Sequence, residues 1–204
     1  MHPKKEKTFV ILKPDAVQRG LIGDIINRFE RIGLKIVAMK MVLPTEELAI
    51  KHYNKDDAWM IKKGETNVIK NRKELGLPIE KTALEYGRDI FRGLVEYMIC
   101  SPVVAMVLEG NSAQAVVKRL VGTTEPATSD TGTIRGDLSL ETYMLCDTDG
   151  GRAVRNLIHC TDPADGEGAA EREINVWFKP EEIIKWKSIN EKMLYDVNLD
   201  GHLE

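Results

Sequence analysis

Residues 103–107 are all apolar, and Pro102 and Leu108 flank them. A strand with one solvated face alternates apolar and polar residues, whereas a strand buried on both faces has a continuous apolar run. This segment therefore predicts a central, buried strand at 102–108. Any fold proposed for the chain has to cover both faces of that strand.

Shorter patterns on either side predict an alternation of strands and helices. Apolar and β-branched runs indicate strands at 8–12, 34–43 and 157–160. Apolar residues at helical spacing indicate helices at 22–32, 45–53, 90–99, 112–121 and 167–178, with another short helix opening at Pro180. Thr45 is expected to be an N-cap. This order predicts an α/β (α+β) fold, a ferredoxin-like sandwich whose four-stranded antiparallel sheet is covered by helices.

Two segments are more polar than the rest of the chain. Residues 54–89 are highly charged, with weak helical periodicity that is broken at Gly76. We expect them to form a helical insertion within one domain that spans residues 1–204. Residues 123–153 are rich in glycine and are expected to form loops, and the tail from residue 188 has little pattern.

Composition excludes several classes of protein. The net charge of −3 and the pI of about 5.9 argue against a broad basic surface for nucleic acid. No apolar run approaches the roughly 20 residues that span a bilayer, and no signal-peptide core follows the charged start. Three cysteines without CxxC spacing fit a reducing compartment. We expect a cytoplasmic protein that needs neither a membrane nor nucleic acid.

His159 is the residue with the clearest chemical potential. It ends a short apolar segment, with Asn156 before it and Thr161 and Asp162 after it. A neutral imidazole can attack phosphorus and hold the phosphoryl group as a labile adduct. Nearby cations and hydroxyls can stabilise charge on the transferring oxygens. The pattern is typical of a covalent phosphoryl carrier.

Each candidate residue also has a structural interpretation. A lone histidine at a strand end is more often structural than catalytic, and Arg135 could merely pair with Asp137 across a turn. Tyr53 could be a packing tyrosine, and Glu173 a solvated helix residue. Adjacent side chains on a strand point to opposite faces, so His159 and Cys160 are not expected to share a metal ion. No metal site built from protein ligands is expected. The motifs GxxxxGK[ST] and GxGxxG are absent, which disfavours the two common nucleotide-binding loops.

Taken in order, the short motifs resemble those of the nucleoside diphosphate kinase family. The resemblance extends from Thr8 to about Trp186. It rests on these segments: Lys13-Pro14-Asp15, Gln18-Arg19-Gly20, His52-Tyr53, Gly93-Leu94-Val95-Glu96-Tyr97-Met98, residues 101–107, Gly132-Thr133-Ile134-Arg135-Gly136-Asp137, Asn156-Leu157-Ile158-His159, Glu173-Ile174 and Trp177-Phe178.

The resemblance implies a function and a role for each matching residue. The activity is transfer of the γ-phosphoryl group of a nucleoside triphosphate, such as ATP, to a nucleoside diphosphate, by a ping-pong route through phosphohistidine. Mg²⁺ is carried with the nucleotide phosphates, and the protein is a homo-oligomer, often a hexamer. By resemblance, the catalytic residues are His159, Glu173, Lys13 and Tyr53. The nucleotide-binding residues are Lys13, Ile90, Leu94, Lys118, Thr124, Arg135 and Asn156.

Some positions depart from the family pattern. The position that usually stacks on the base aligns with Ile90, next to Phe91, and a phosphate-binding arginine aligns with Lys118, next to Arg119. Segments 54–89 and 138–155 are longer than is usual. These departures keep a second hypothesis open, that of a regulatory or binding module with weak turnover. A coupled assay with ATP and a second diphosphate distinguishes the two.

Overall fold

The computed structural model describes residues 5–148 and 152–195. Its sheet contains β1 (Glu6–Leu12), β2 (Lys35–Val42), β3 (Val103–Gly110) and β4 (Ile158–Cys160), in the order β2-β3-β1-β4. All three pairings are antiparallel. The predicted ferredoxin-like sheet is confirmed, and the apolar run at 103–107 lies in one of its two central strands.

Helices cover both faces of the sheet, which explains why β3 lacks polar alternation. One face carries Val10, Met106 and Leu108 against Ile25 and Phe29. The opposite face carries Phe9, Ile11, Ala105 and Val107 against a second set of helices, which contributes Ala49, Val95, Met98, Ile174 and Trp177. Burial of apolar surface on both sides supplies the main stabilisation of such a sandwich.

The described part of the chain contains eleven α-helices. They are α1 (Pro14–Gln18), α2 (Ile22–Arg31), α3 (Glu46–Tyr53), α4 (Asp57–Lys63), α5 (Lys70–Glu74), α6 (Ala83–Ile99), α7 (Ala113–Val121), α8 (Ile134–Leu138), α9 (Tyr143–Thr148), α10 (Ala169–Trp177) and α11 (Asn190–Tyr195). The predicted N-cap is confirmed, because the Thr45 hydroxyl accepts from the Leu48 amide at 3.2 Å. None of the described helices is long and apolar enough to cross a membrane.

The predicted start of the helix at Ile90 is wrong. Helix α6 begins at Ala83, seven residues before the expected start at Ile90. The reason is a capping box at its N-terminus: the Thr82 hydroxyl accepts from the Glu85 amide, and the Glu85 carboxylate accepts from the Thr82 amide. The polar segment between α3 and α6, residues 54–82, is called the additional segment below. It is helical up to residue 74, through α4, a π-helical turn at Gly64–Ile69, and α5.

The loop-rich segment 123–153 also contains two short helices, α8 and α9. One further expectation about local structure is wrong. The helix expected to open at Pro180 is a single 3₁₀ turn, Pro180–Glu182, because the Ile184 amide then donates to the Val37 carbonyl at 2.8 Å. Pairing with the edge of β2 thus replaces the expected helix.

Helix α4 packs against α6 through two close backbone approaches. A Cβ atom added to Gly87 would overlap the Met60 carbonyl, and one added to Gly64 would overlap the Ala83 carbonyl. Only glycine allows helices to approach so closely. The additional segment is therefore fixed to the core helix that carries Ile90.

We predict that Gly87→Ala lowers the free energy of unfolding by about 1–3 kcal/mol, because the overlap with Met60 forces α4 away. Gly93→Ala in the same helix is the matched control. Its Cβ would lie 3.8 Å from the nearest described atom, the Ala153 nitrogen, so the gain in helix propensity of about 1 kcal/mol should survive there. Urea unfolding measures both variants, and equal stabilities for the two would contradict the packing described.

Candidate active site

A cavity of about 340 Å³ opens beside the end of β4. Every site residue predicted from the sequence lines it, together with side chains from both polar segments. The predicted residues are Lys13, Tyr53, Ile90, Leu94, Lys118, Thr124, Arg135, Asn156, His159 and Glu173. The fold thus brings together residues that lie as much as 160 positions apart in the chain.

The backbone just before β4 makes a tight turn that aims two of these side chains. Leu157 has a φ of 63°, a left-handed conformation that is uncommon for a leucine. Its amide donates to the Asp15 carboxylate at 3.0 Å, and its carbonyl accepts from the Lys13 amide at 2.8 Å. Such a conformation persists only where its surroundings hold it. Here it directs Asn156 into the cavity and starts β4 in the register that presents His159.

Strand alternation sets the direction of His159. Its neighbours Ile158 and Cys160 join the core on one face of the sheet, so the imidazole projects from the other. Its Nε2 lies 3.1 Å from each carboxylate oxygen of Glu173, and the Thr161 hydroxyl donates to the same carboxylate at 2.6 Å. Burial opposes ionisation of Glu173, but these hydrogen bonds outweigh it and hold its pKa below the usual range.

This geometry determines which nitrogen of His159 can react. An ionised carboxylate only accepts hydrogen bonds, so Nε2 carries the proton and donates to Glu173. The lone pair of the neutral ring is then on Nδ1. The Glu173 side chain, far from being solvated on α10, is 4% exposed and sets the tautomer of the histidine.

The sequence analysis quoted His52 but assigned it no role. Its ring meets that of His159 edge to face, with centroids 4.5 Å apart. The indole Nε1–H of Trp177 donates to His52 Nδ1 at 3.3 Å. Burial, aided by the charges of His159 and Lys13, lowers the pKa of His52 well below its ordinary value. A neutral ring is thus packed against the imidazole. Only its position beside Tyr53 on α3 hinted at this in the sequence.

Lys13 and Asn156 form a buried pair on the cavity wall. The ammonium donates to the Asn156 side-chain carbonyl at 2.8 Å, and the Asn156 amide donates to the Thr124 backbone carbonyl at 3.0 Å. Burial lowers the pKa of Lys13 to about 8, and the positive charge of Arg135 adds to the effect. A desolvated ammonium of this kind is a site for an anionic or polar ligand.

Arg135 does not pair with Asp137, which instead binds Arg28 at 2.7 Å. Its guanidinium donates to the backbone carbonyls of residues on either side of the cavity: Gly122, Thr123, Asn156 and Ile158. This side chain therefore ties the turn before β4 to the end of α7. It also places a buried positive charge at the cavity wall.

The two pairs of neighbouring candidates that the sequence left open differ in position. The described cavity lining includes Ile90 but not Phe91, whose ring packs against Tyr53 at 6.4 Å. It includes Lys118 but not Arg119. The Lys118 ammonium pairs with Asp162 at 2.7 Å. The Tyr53 hydroxyl has no hydrogen-bond partner among the described residues, and burial raises its pKa.

One group in the described ranges has the composition of a metal site. Ligand atoms of His52, His159 and Glu173 lie within 4.8 Å of one another. However, Trp177 occupies Nδ1 of His52, which leaves the proton of the neutral ring on Nε2. The group is therefore better described as a hydrogen-bonded cluster than as a set of lone pairs directed at one ion.

Comparison with known proteins identifies the family. The family model described as nucleoside diphosphate kinase matches residues 6–73 and 81–183. A nucleoside diphosphate kinase of Pyrobaculum aerophilum is 46% identical over 185 residues, covering 88% of this chain and 98% of the relative. The chain belongs to the nucleoside diphosphate kinase family. The predicted family and its ferredoxin-like fold are confirmed.

Solved structures of this kinase family agree with the fold. An NDP kinase from Pyrobaculum aerophilum superposes with a TM-score of 0.81 at 44% identity, covering 89% of this chain and all of that one. A nucleoside-diphosphate kinase from Borrelia burgdorferi, a transition state mimic with bound vanadate and ADP, has a TM-score of 0.72 at 35% identity. The superposition covers 93% of this chain and 96% of the Borrelia chain.

We predict that Lys13→Met, in this nucleoside diphosphate kinase homologue, changes the pH dependence of stability. The folded-state pKa of about 8 lies below the ordinary 10.5, so the folded protein carries the full cost of a buried charge below pH 8. That cost is relieved as the pH rises from 8 to 10.5. The stability of Lys13→Met relative to wild type should therefore fall by about 2–3 kcal/mol between pH 7 and 10. Urea unfolding measures this, and a constant difference would contradict it.

Proposed function

We propose that this chain transfers the γ-phosphoryl group of ATP or another nucleoside triphosphate to a nucleoside diphosphate through phosphorylated His159. Membership of the family makes it a phosphotransferase. The observation that supports the phosphohistidine is the contact between His159 Nε2 and the Glu173 carboxylate. With Nε2 held by Glu173, the lone pair on Nδ1 is the nucleophile left to the ring.

The proposed reaction has two symmetric steps. Nδ1 attacks the γ-phosphorus, a nitrogen–phosphorus bond forms, and the bond to the β,γ-bridging oxygen breaks, so a nucleoside diphosphate leaves. Positive charge developing on the ring is stabilised by the ionised Glu173 through the Nε2–H hydrogen bond. A terminal oxygen of a second diphosphate then attacks the phosphoramidate and returns the electron pair to Nδ1. Splitting the transfer lets one cavity serve donor and acceptor in turn.

The remaining cavity residues have roles that suit their chemistry. Lys118 and Arg135 bring positive charge toward the phosphates, and Thr124 lies beside them in the lining. The Lys13–Asn156 pair offers a charged donor and an amide to the sugar hydroxyls. The buried hydroxyl of Tyr53 has an unused donor. Ile90 and Leu94 offer apolar surface to the base. Binding of nucleic acid is no part of this proposal.

Mg²⁺ enters this proposal as part of the substrate. It prefers six oxygen ligands, whereas the cluster around His159 offers two imidazoles and one carboxylate that is already hydrogen-bonded. Asp162, the nearest acid after β4, is paired with Lys118. The nucleotide phosphates are the better oxygen ligands, so Mg²⁺ bound to them is expected to be required for turnover.

The proposed protein is one cytoplasmic domain that acts as a homo-oligomer, with a hexamer as the expected form. Cys100, Cys146 and Cys160 are free, which fits a reducing compartment. Strand β2 lies at the edge of the sheet and exposes Met39 and Met41, and Leu43 just after it is also exposed. An exposed apolar edge favours association. Light scattering on the purified protein tests the assembly.

We predict that γ-labelled ATP with Mg²⁺, in the absence of an acceptor, labels His159. The label should be acid-labile and base-stable, as a phosphoramidate is, and a nucleoside diphosphate should remove it. His159→Ala should take up no label and lose turnover by at least roughly 10³-fold. Label on a serine, threonine or aspartate would refute the assignment. A labelled protein with negligible turnover would favour the regulatory module.

We predict that Glu173→Gln lowers the rate of phosphorylation by about 10²–10⁴-fold. The amide can donate to Nε2 and so stabilise the tautomer that has its proton on Nδ1, which cannot attack. Glu173→Ala cannot enforce that tautomer, so its rate of phosphorylation should fall less than that of Glu173→Gln. Glu171→Gln, at an exposed position on the same helix, is the control. Rapid-quench labelling measures all three, and a Gln variant as fast as wild type would contradict the role of the carboxylate.

A further inference from the structure

We propose that Trp59, in the additional segment, supplies the aromatic face on which the nucleobase stacks. This inference rests on the proposed nucleotide substrate and identifies a residue that determines how the base is bound. The juxtaposition that carries it is the presence of Trp59 in the same cavity as His159, Lys13 and Ile90.

Trp59 belongs to a row of side chains that faces the cavity. The row consists of Lys55, Trp59, Lys63 and Asn67, spaced four residues apart, and all four line the cavity. Helix α4 carries two of them, and the π-helical turn Gly64–Ile69 carries Asn67. Four-residue spacing places successive side chains on one side of a helix. The segment therefore presents one continuous row of side chains to the ligand, in which Lys55 and Lys63 flank the ring of Trp59.

The row runs outward from the catalytic histidine. Lys55 lies at the inner end, close enough that its positive charge helps to lower the pKa of His52, after burial and the charges of His159 and Lys13. Asn67 lies at the outer end, where it also lines a groove with Tyr143 and Met144. In this proposal the phosphates of a nucleotide lie at His159 and its base extends along the same row. Trp59 stands between the two ends.

Helix α6 contributes no aromatic ring to the described cavity lining. The described lining has Ile90 there, and Phe91 is turned toward Tyr53. Trp59 is half-buried, and the ammonium of Lys55 lies 5.6 Å from its ring centroid. Among the described residues, no other aromatic ring packs on this indole. Stacking on an aromatic face is worth roughly 1–3 kcal/mol per base and tolerates every base.

The position of Trp59 is rigid enough to act as a platform. The carbonyl of the next residue, Met60, touches Gly87 of α6, and Gly64 touches the Ala83 carbonyl. These contacts lock α4 to the helix that also carries Ile90. A platform held in place loses little conformational entropy when the base binds.

The test compares MgADP with a ligand that has no base. Calorimetry should show that Trp59→Ala raises the dissociation constant of MgADP by about 5–100-fold, whereas Trp59→Phe, which keeps an aromatic face, raises it less than about 3-fold. Inorganic tripolyphosphate with Mg²⁺ should bind wild type and Trp59→Ala equally. Trp186→Phe, which removes a half-exposed indole outside the cavity, should leave both constants unchanged.

Two results would overturn the inference. One is unchanged MgADP affinity in Trp59→Ala, and the other is an equal loss for MgADP and tripolyphosphate, which would indicate a general effect on the cavity. Labelling of His159 by ATP in the wild-type protein is a separate measurement, which tests the proposed function. Normal labelling with unchanged affinity refutes the stacking role alone, while failed labelling refutes the phosphohistidine and leaves the binding comparison valid.

Discussion

The turn at Asn156–Ile158 is the constraint on which the rest of the site depends. Leu157 adopts a left-handed backbone conformation that a leucine rarely adopts alone. Asp15 holds its amide, and Arg135 holds the carbonyls of its two neighbours. Because the same few residues determine this turn, they also determine the directions of the Asn156 side chain and of the His159 imidazole, which follows the turn directly. Lys13 and Arg135 therefore act on the backbone as well as, in the proposed function, on the ligand.

The fold places reactive groups at the cost of stability. The Lys13 ammonium is buried with its charge, which is why its pKa falls to about 8. His52 is a buried imidazole whose Nε2 has no described partner. Buried polar groups of this kind destabilise a protein unless they are fully hydrogen-bonded. The two apolar faces of the sheet, with side chains such as Phe9 and Met106 fully buried, offset that cost. Because the core is buried on both sides of the sheet, the fold tolerates destabilising polar groups at the cavity.

The sequence predicted the sheet, and it named candidate residues that the fold brings into one cavity, but it did not predict the geometry between them. Strand β3 is recognisable because burial on both faces leaves a local pattern, the apolar run at 103–107. Helix α6 was placed seven residues late because its start depends on the Thr82–Glu85 capping box, a short signal inside a polar segment. The role of His52 depends on a tertiary hydrogen bond from Trp177, 125 residues away, and no periodicity reveals that.

The additional segment shows why residue matching alone describes a site incompletely. Matching to the family pattern leaves Ile90 as a weak substitute for an aromatic ring, which favours a site that binds bases poorly. The structure adds side chains of α4 to the cavity lining. They reach it because Gly64 and Gly87 let α4 approach α6 until the backbones touch. Those glycines carry no chemistry, yet they determine which side chains of the segment reach the cavity. A segment that the sequence predicts to be solvated charge thus contributes side chains to the cavity, and in the proposed function its packing influences how strongly the base is held.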